Sequence, residues 1–189
     1  MPFLHPALEN AAAGLASLSA AAAAIGAPDP VAALRQIDCS PQTIRESART
    51  LSGGRDVLVM ARLEFERGAH SAERKWGGEP AAQFRGSADE LDAHYRQAAE
   101  AAARTASVGL DLADLLDRLA DQTAARVMLI AEGVTPAAVA LLAGDRSAEP
   151  AVREACGTIA EAVARGVATI GEATTFLDAF GTPVLQEEH

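Results

Sequence analysis

The chain has 189 residues, a formal net charge of −10, 49% hydrophobic but only 4% aromatic residues, and two cysteines. That size suits one soluble domain or a compact helical assembly. The acidic balance argues against a nucleic-acid backbone as main partner, and two cysteines are too few for a disulfide-stapled secreted scaffold.

Alanine makes up roughly a quarter of the sequence, far above its ordinary share. With one Trp and one Tyr, the chain cannot build a thick aromatic core. It can bring helices close together, because alanine favours helix and adds little bulk between backbones. Cys39 and Cys156 read as small buried side chains, since neither has a second thiol or histidine at metal-ligand spacing.

The opening Met1-Pro2-Phe3-Leu4-His5-Pro6 lacks the basic start of a signal peptide. The run from Ala11 to Ala27, interrupted by Ser17 and Ser19, is too weakly hydrophobic to read as a membrane span. Leu4, Leu8, Leu15, Leu18, Ala22 and Ile25 fall on one helical face, predicting a helix over 6–25 that stops at Gly26-Ala27-Pro28. Ser40 and Pro41 then form a helix start.

From Pro41 one apolar column advances by sevens through Ile44, Leu51, Leu58, Phe65 and Ala72. A second runs through Ala48, Arg55, Arg62, Ala69 and Trp76. This is the alternating rhythm of a helix seam. Gly53-Gly54 is its weak point, and whether the helix bends or breaks there is left open by the pattern. After the turn Trp76-Gly77-Gly78-Glu79-Pro80 the seam resumes through Phe84, Ala88, Leu91, Tyr95, Ala98 and Ala102, then Thr105, Gly109, Leu112, Leu116, Leu119 and Thr123. The pattern predicts a helix over 80–132, roughly 50 residues or about 75 Å if straight. A last helix over 151–180 places Val152, Cys156, Ile159, Val163, Gly166 or Val167, Ile170, Thr174 and Leu177 on one face, ending near Phe180-Gly181-Thr182-Pro183.

Folding the chain back at Gly77-Gly78 puts Phe65 near Leu91 and Leu58 near Tyr95. It also brings Arg62 near Asp92 and Arg55 near Glu100, so apolar columns and charges support the same antiparallel pairing. The apolar stretch Leu115–Ile130 is left over, to be covered by the N- and C-terminal helices. The expected fold is all-α: a single unit over 1–189, with a long antiparallel hairpin over 41–132 turning at 76–80. The N- and C-terminal helices complete a four-helix bundle at one end and leave a two-helix arm whose remaining apolar surface calls for a partner.

Trp76, Gly78, Ala81 and Phe84, placed between two in-phase amphipathic helices, resemble the turn of the Trp-x-Gly family of helical-hairpin proteins linked to type VII (ESX) secretion in actinobacteria and their relatives. The likeness covers about 41–125. It implies a non-catalytic protein that associates side by side with a partner, as homo- or heterodimer, and is exported folded from the cytoplasm without a Sec signal peptide. It also implies that Trp76 and Gly78 contribute to a surface read together with a partner's tail. Trp76 can equally be a plug closing the hairpin end. The family's export signal, Tyr-x-x-x-Asp/Glu after the hairpin, is absent: the one tyrosine, Tyr95, lies inside the seam and is followed four residues on by Ala99. The acidic tail Gln186-Glu187-Glu188-His189 reads as a frayed terminus.

No nucleophile elbow, phosphate loop, dinucleotide fingerprint or zinc-finger spacing occurs. Glu66/His70 and Glu90/His94 are the nearest approach to a bundle metal site, but their step is four where such sites use three, and they flank the seam. Asp111, Asp114, Asp117 and Asp121 read as a solvated helix face without a calcium loop. The expected function is therefore non-enzymatic, with no cofactor and no metal: an exported type VII substrate or the pairing partner of one. A cytosolic adaptor or chaperone-like bundle for another exported protein is the alternative, and a metal-dependent bundle enzyme a remote one.

Overall fold

A computed structural model describes residues 2–181, with side chains through residue 175. Among the described residues the regular elements are all helices, without a strand: α1 (Pro6–Gly14), α2 (Ala16–Ile25), α3 (Pro30–Leu34), α4 (Pro41–Glu73), α5 (Glu79–Leu142) and α6 (Glu149–Gly181). Short 3-10 turns follow α3 at Arg35–Ile37 and precede α6 at Arg146–Ala148. Thr182, Pro183 and the tail 186–189 lie outside the described residues, as does the side chain of Leu177.

Two helix boundaries differ from expectation. The helix expected over 6–25 is two helices bent by 56° at Leu15. Gly14, a poor helix former, is where the chain yields, and the bend lets Leu8, Leu15 and Leu18 all be buried. Gly53-Gly54 does not break α4, which runs through both. The long helix does not stop at 132: α5 continues through Pro136 to Leu142. Its buried register continues as Val127, Ala131, Val134, Ala138 and Leu141, in steps of four and three. Pro136 lies on the exposed side, so the Glu132 carbonyl it leaves without an amide can be hydrated, and the Thr135 hydroxyl donates to the Ala131 carbonyl at 2.6 Å. Core packing thus outweighs the proline's local cost.

Contacts among the described residues form two compact units. Described residues as far as Pro41 together with those from Leu112 to Gly181 form one, and Gln42–Asp111 the other. The first has a continuous apolar core in which α6 packs on α2 and α3. Leu8, Leu15, Leu34, Val127, Val152 and Ile159 are fully buried there. Ala120, Ala124, Val127 and Ala131 of α5 share this core while Met128 and Leu129 of the same stretch are exposed, and the expected α6 face is buried from Val152 to Val163. Gly166, rather than Val167, continues this face: a Cβ there would stand 3.5 Å from the Ile37 side chain. Leu4, expected on the α1 face, is exposed instead, its amide held by the Asp38 carboxylate at 2.9 and 3.0 Å.

Gly26 closes α2 in a left-handed conformation, φ 65°, that glycine adopts without strain. Arg153 of α6 donates to the free Ile25 carbonyl at 2.8 Å, tying α6 to the end of α2.

Candidate protein-interaction surface

The 42–111 unit consists of α4, the turn after it, and α5 up to Asp111. Contacts along these helices run in opposite directions. An added Cβ at Gly109 would meet that of Ala48 at 3.4 Å. Arg62 bonds Asp92, and the Phe65 and Tyr95 rings lie 6.2 Å apart. Arg85 donates to Glu73 at 3.0 Å, and Trp76 meets Phe84 edge-on at 5.6 Å.

This unit buries few residues. Ala48, Ala81, Ala99 and Ala106 are buried, and all are alanine. Ile44, Leu58, Phe65 and Tyr95 are half-buried between the helices, whereas Leu51 and Leu91 are each 40% exposed. Leu112, also in the predicted seam, is half-buried and belongs to the other unit. Two helices form one layer, so each keeps a flank that no second layer covers.

That flank is apolar. Val57 is 68% and Met60 55% exposed on α4, and with Asp56, Ala61 and Glu64 they line a shallow groove. Seam periodicity marks residues facing α5 and so missed these two, which lie on the opposite side of α4. Gly53, Gly54 and Gly68 lie in the same helix, and a Cβ at any of them would meet nothing within 4 Å. Each costs about 1 kcal/mol relative to alanine in a helix interior, and no close packing among the described residues requires it.

At the turn, Gly78 takes φ 79°, a conformation that glycine supplies. Ala81 is buried, while Trp76 remains 58% exposed with one edge against Phe84. Its ring partly closes the turn and partly presents apolar surface to solvent.

Arg62 meets Asp92 as expected, but Arg55 does not meet Glu100. Arg55 is exposed and pairs with its neighbour Asp56 at 3.1 Å, while Glu100 is near Arg104 at 3.6 Å. His70 Nδ1 bonds the Glu66 carbonyl oxygen at 2.9 Å, and the Glu66 carboxylate binds Arg62 at 2.7 Å. Glu90 and His94 are exposed. Among the described residues no group of three or more His, Cys, Asp or Glu is placed to hold a metal. In the other unit, Asp117 takes up His5 at 3.0 Å.

By length and composition alone, α5 is long and apolar enough to cross a membrane, and α1 and α2 pass the same test as a bent pair. Both also supply core residues. No family model matches the sequence, and no match is found among curated proteins or solved structures.

Proposed function

We propose that this protein acts by helix–helix association with a protein partner in type VII secretion, as an exported substrate or as the pairing partner of one, and performs no catalysis. The observation that carries this reading is the composition of the 42–111 unit. It buries four alanines and leaves Leu51, Val57, Met60, Leu63 and Leu91 in contact with water. At about 25 cal/mol per Å² of apolar surface, covering such a flank is the main gain available to a structure of this kind.

The Trp76-Gly77-Gly78 turn between paired amphipathic helices supports the secretion context through its resemblance to the Trp-x-Gly hairpins. The finer architecture proposed with it is an antiparallel hairpin whose flanking N- and C-terminal helices complete a four-helix bundle. The protein is then cytoplasmic before export.

The test is export from the native host. Appearance of the chain in culture medium only while the secretion ATPase is intact supports the reading. Retention in the cytosol under both conditions overturns it.

A further inference from the structure

We infer that the outward flank of α4 pairs with the same flank of a second copy of this chain, antiparallel, about a two-fold axis between Met60 and Ala61. This rests on the helix-association reading above and names the partner.

The first observation is a pattern that reads the same in both directions. Gly53, Val57, Met60, Ala61, Glu64 and Gly68 are separated by steps of four, three, one, three and four. At 100° per residue these positions share one face of α4. It is the face that carries the exposed Val57 and Met60 and the shallow groove beside them. A two-fold interface requires that whenever residue i faces j of the other copy, j faces i in return. With the axis between Met60 and Ala61, Met60 lies over Ala61 of the second copy, Val57 lies along the stem of its Glu64, and Gly53 lies opposite its Gly68.

The second observation is that the glycines are unexplained from within. A side chain at Gly53 or Gly68 would meet open space in the single chain, yet both weaken the helix that holds them. In the paired arrangement the two clearings coincide. Each removes a side chain where the backbones approach.

The third observation is charge. The same axis sets Glu46 near the level of Lys75 of the second copy, which stands in the turn just past the end of α4, and puts Arg67 within reach of Asp56, which Arg55 also meets in its own chain. Among the described residues neither Lys75 nor Arg67 has an ion-pair partner in its own chain, so both cations remain available. Opposite charges at matching levels select the antiparallel register, because sliding by a turn separates them.

Light scattering and sedimentation equilibrium of the full chain test the inference, with circular dichroism confirming that each variant is helical. A dimer is expected. Glu46→Lys alone and Lys75→Glu alone each raise its dissociation constant by about tenfold or more, while the double exchange, which recreates the opposite pair in both places, restores it. Gly53→Gln gives a divergent pair of readings: the helix becomes more resistant to heat, and the dimer dissociates more readily. A role confined to the single chain moves only the first.

A helical chain that remains monomeric, or a dimer unmoved by these changes, overturns the inference. If such a monomer is still exported in an ATPase-dependent way, the proposed function survives without it. A charge-swappable dimer that never leaves the cytosol supports the pairing and overturns export.

Discussion

Arg62 and Asp92, thirty residues apart, join α4 to α5 side by side. The guanidinium directs Nε to one carboxylate oxygen and Nη2 to the other, the latter at 3.4 Å, and the same Nη2 also donates to Glu66 at 2.7 Å. Arg96 meets the second Asp92 oxygen at 2.7 Å, so the carboxylate is held from two helices. Two directed bonds to one carboxylate fix a register, which apolar columns of alanine, able to slide over one another, do not.

The hydrogen bond from Arg62 is the main reason the Asp92 carboxyl is held below its ordinary range, and the Arg62 and Arg96 charges add to it. The sign follows from proton linkage. A carboxyl whose folded value is depressed contributes stability that is fully present above its unfolded value, about 3.9. That contribution is lost as pH falls through the lower folded value. Asp92→Asn is therefore expected to lower the denaturation midpoint at pH 6, by an amount that shrinks toward zero under strong acid. Parallel urea titrations of both proteins from neutral pH to below pH 3 read this directly. A pH-independent difference would show that Asp92 acts by shape and not by charge.

The Arg62 contact was legible in the sequence because two short-range rules converge on it. A seven-residue rhythm puts Arg62 in the column facing α5, and Gly77-Gly78 sets where the chain reverses. Arg55 occupies the same column one heptad earlier, but it is solvated there and has Asp56 next to it, so the nearer carboxylate prevails over Glu100. The end of α5 departs from the sequence pattern for a different reason. Gly133 and Pro136 are local stop signals, whereas the register from Val127 to Leu141 is rewarded only by a core assembled from distant segments. The α4 flank leaves no signal in the sequence because Val57 and Met60 follow no seam, and an exposed face has no periodic partner within its own chain.

The contact between Gly109 and Ala48 makes a second prediction. An alanine Cβ at 109 would stand 3.4 Å from that of Ala48, at the near edge of ordinary van der Waals contact. Gly109→Ala is expected to stabilise the protein by up to about 1 kcal/mol through helix propensity. Ala48→Leu must instead force the helices apart, and is expected to cost about 1–3 kcal/mol. Denaturant melts of the two variants should move in opposite directions. A loss in Gly109→Ala would mean that the seam cannot yield by a few tenths of an ångström.

His5 is 6% exposed and anchors the start of the chain. Its Nδ1 accepts the Ala7 amide at 3.3 Å as the cap of α1. The proton then sits on Nε2, directed at Asp117 3.0 Å away. His5→Ala removes a cap and leaves the Asp117 carboxylate short of one donor, at an expected cost of about 1–3 kcal/mol. His5→Asn, which can still cap, should recover part of this. Amide hydrogen exchange within α1 distinguishes the two roles: equal exchange in both variants would remove capping from the account.

The two cysteines are free thiols in different settings. Burial, and then the charges of Asp38 and Asp117, push the half-buried Cys39 thiol above its usual value. Burial, assisted by Asp29, does the same to Cys156, which is 1% exposed. Since the thiolate is the reactive form, a raised value means slow alkylation at neutral pH. Cys39 is expected to react with iodoacetamide more slowly than a free thiol at pH 7, and to catch up as pH rises and the thiolate forms. Cys156 should stay protected at either pH until denaturant opens the core around Val152 and Ile159. Mass spectrometry of alkylated peptides follows both sites in one experiment. Modification of Cys156 at the rate of Cys39 in the folded protein would contradict the buried position of that α6 face.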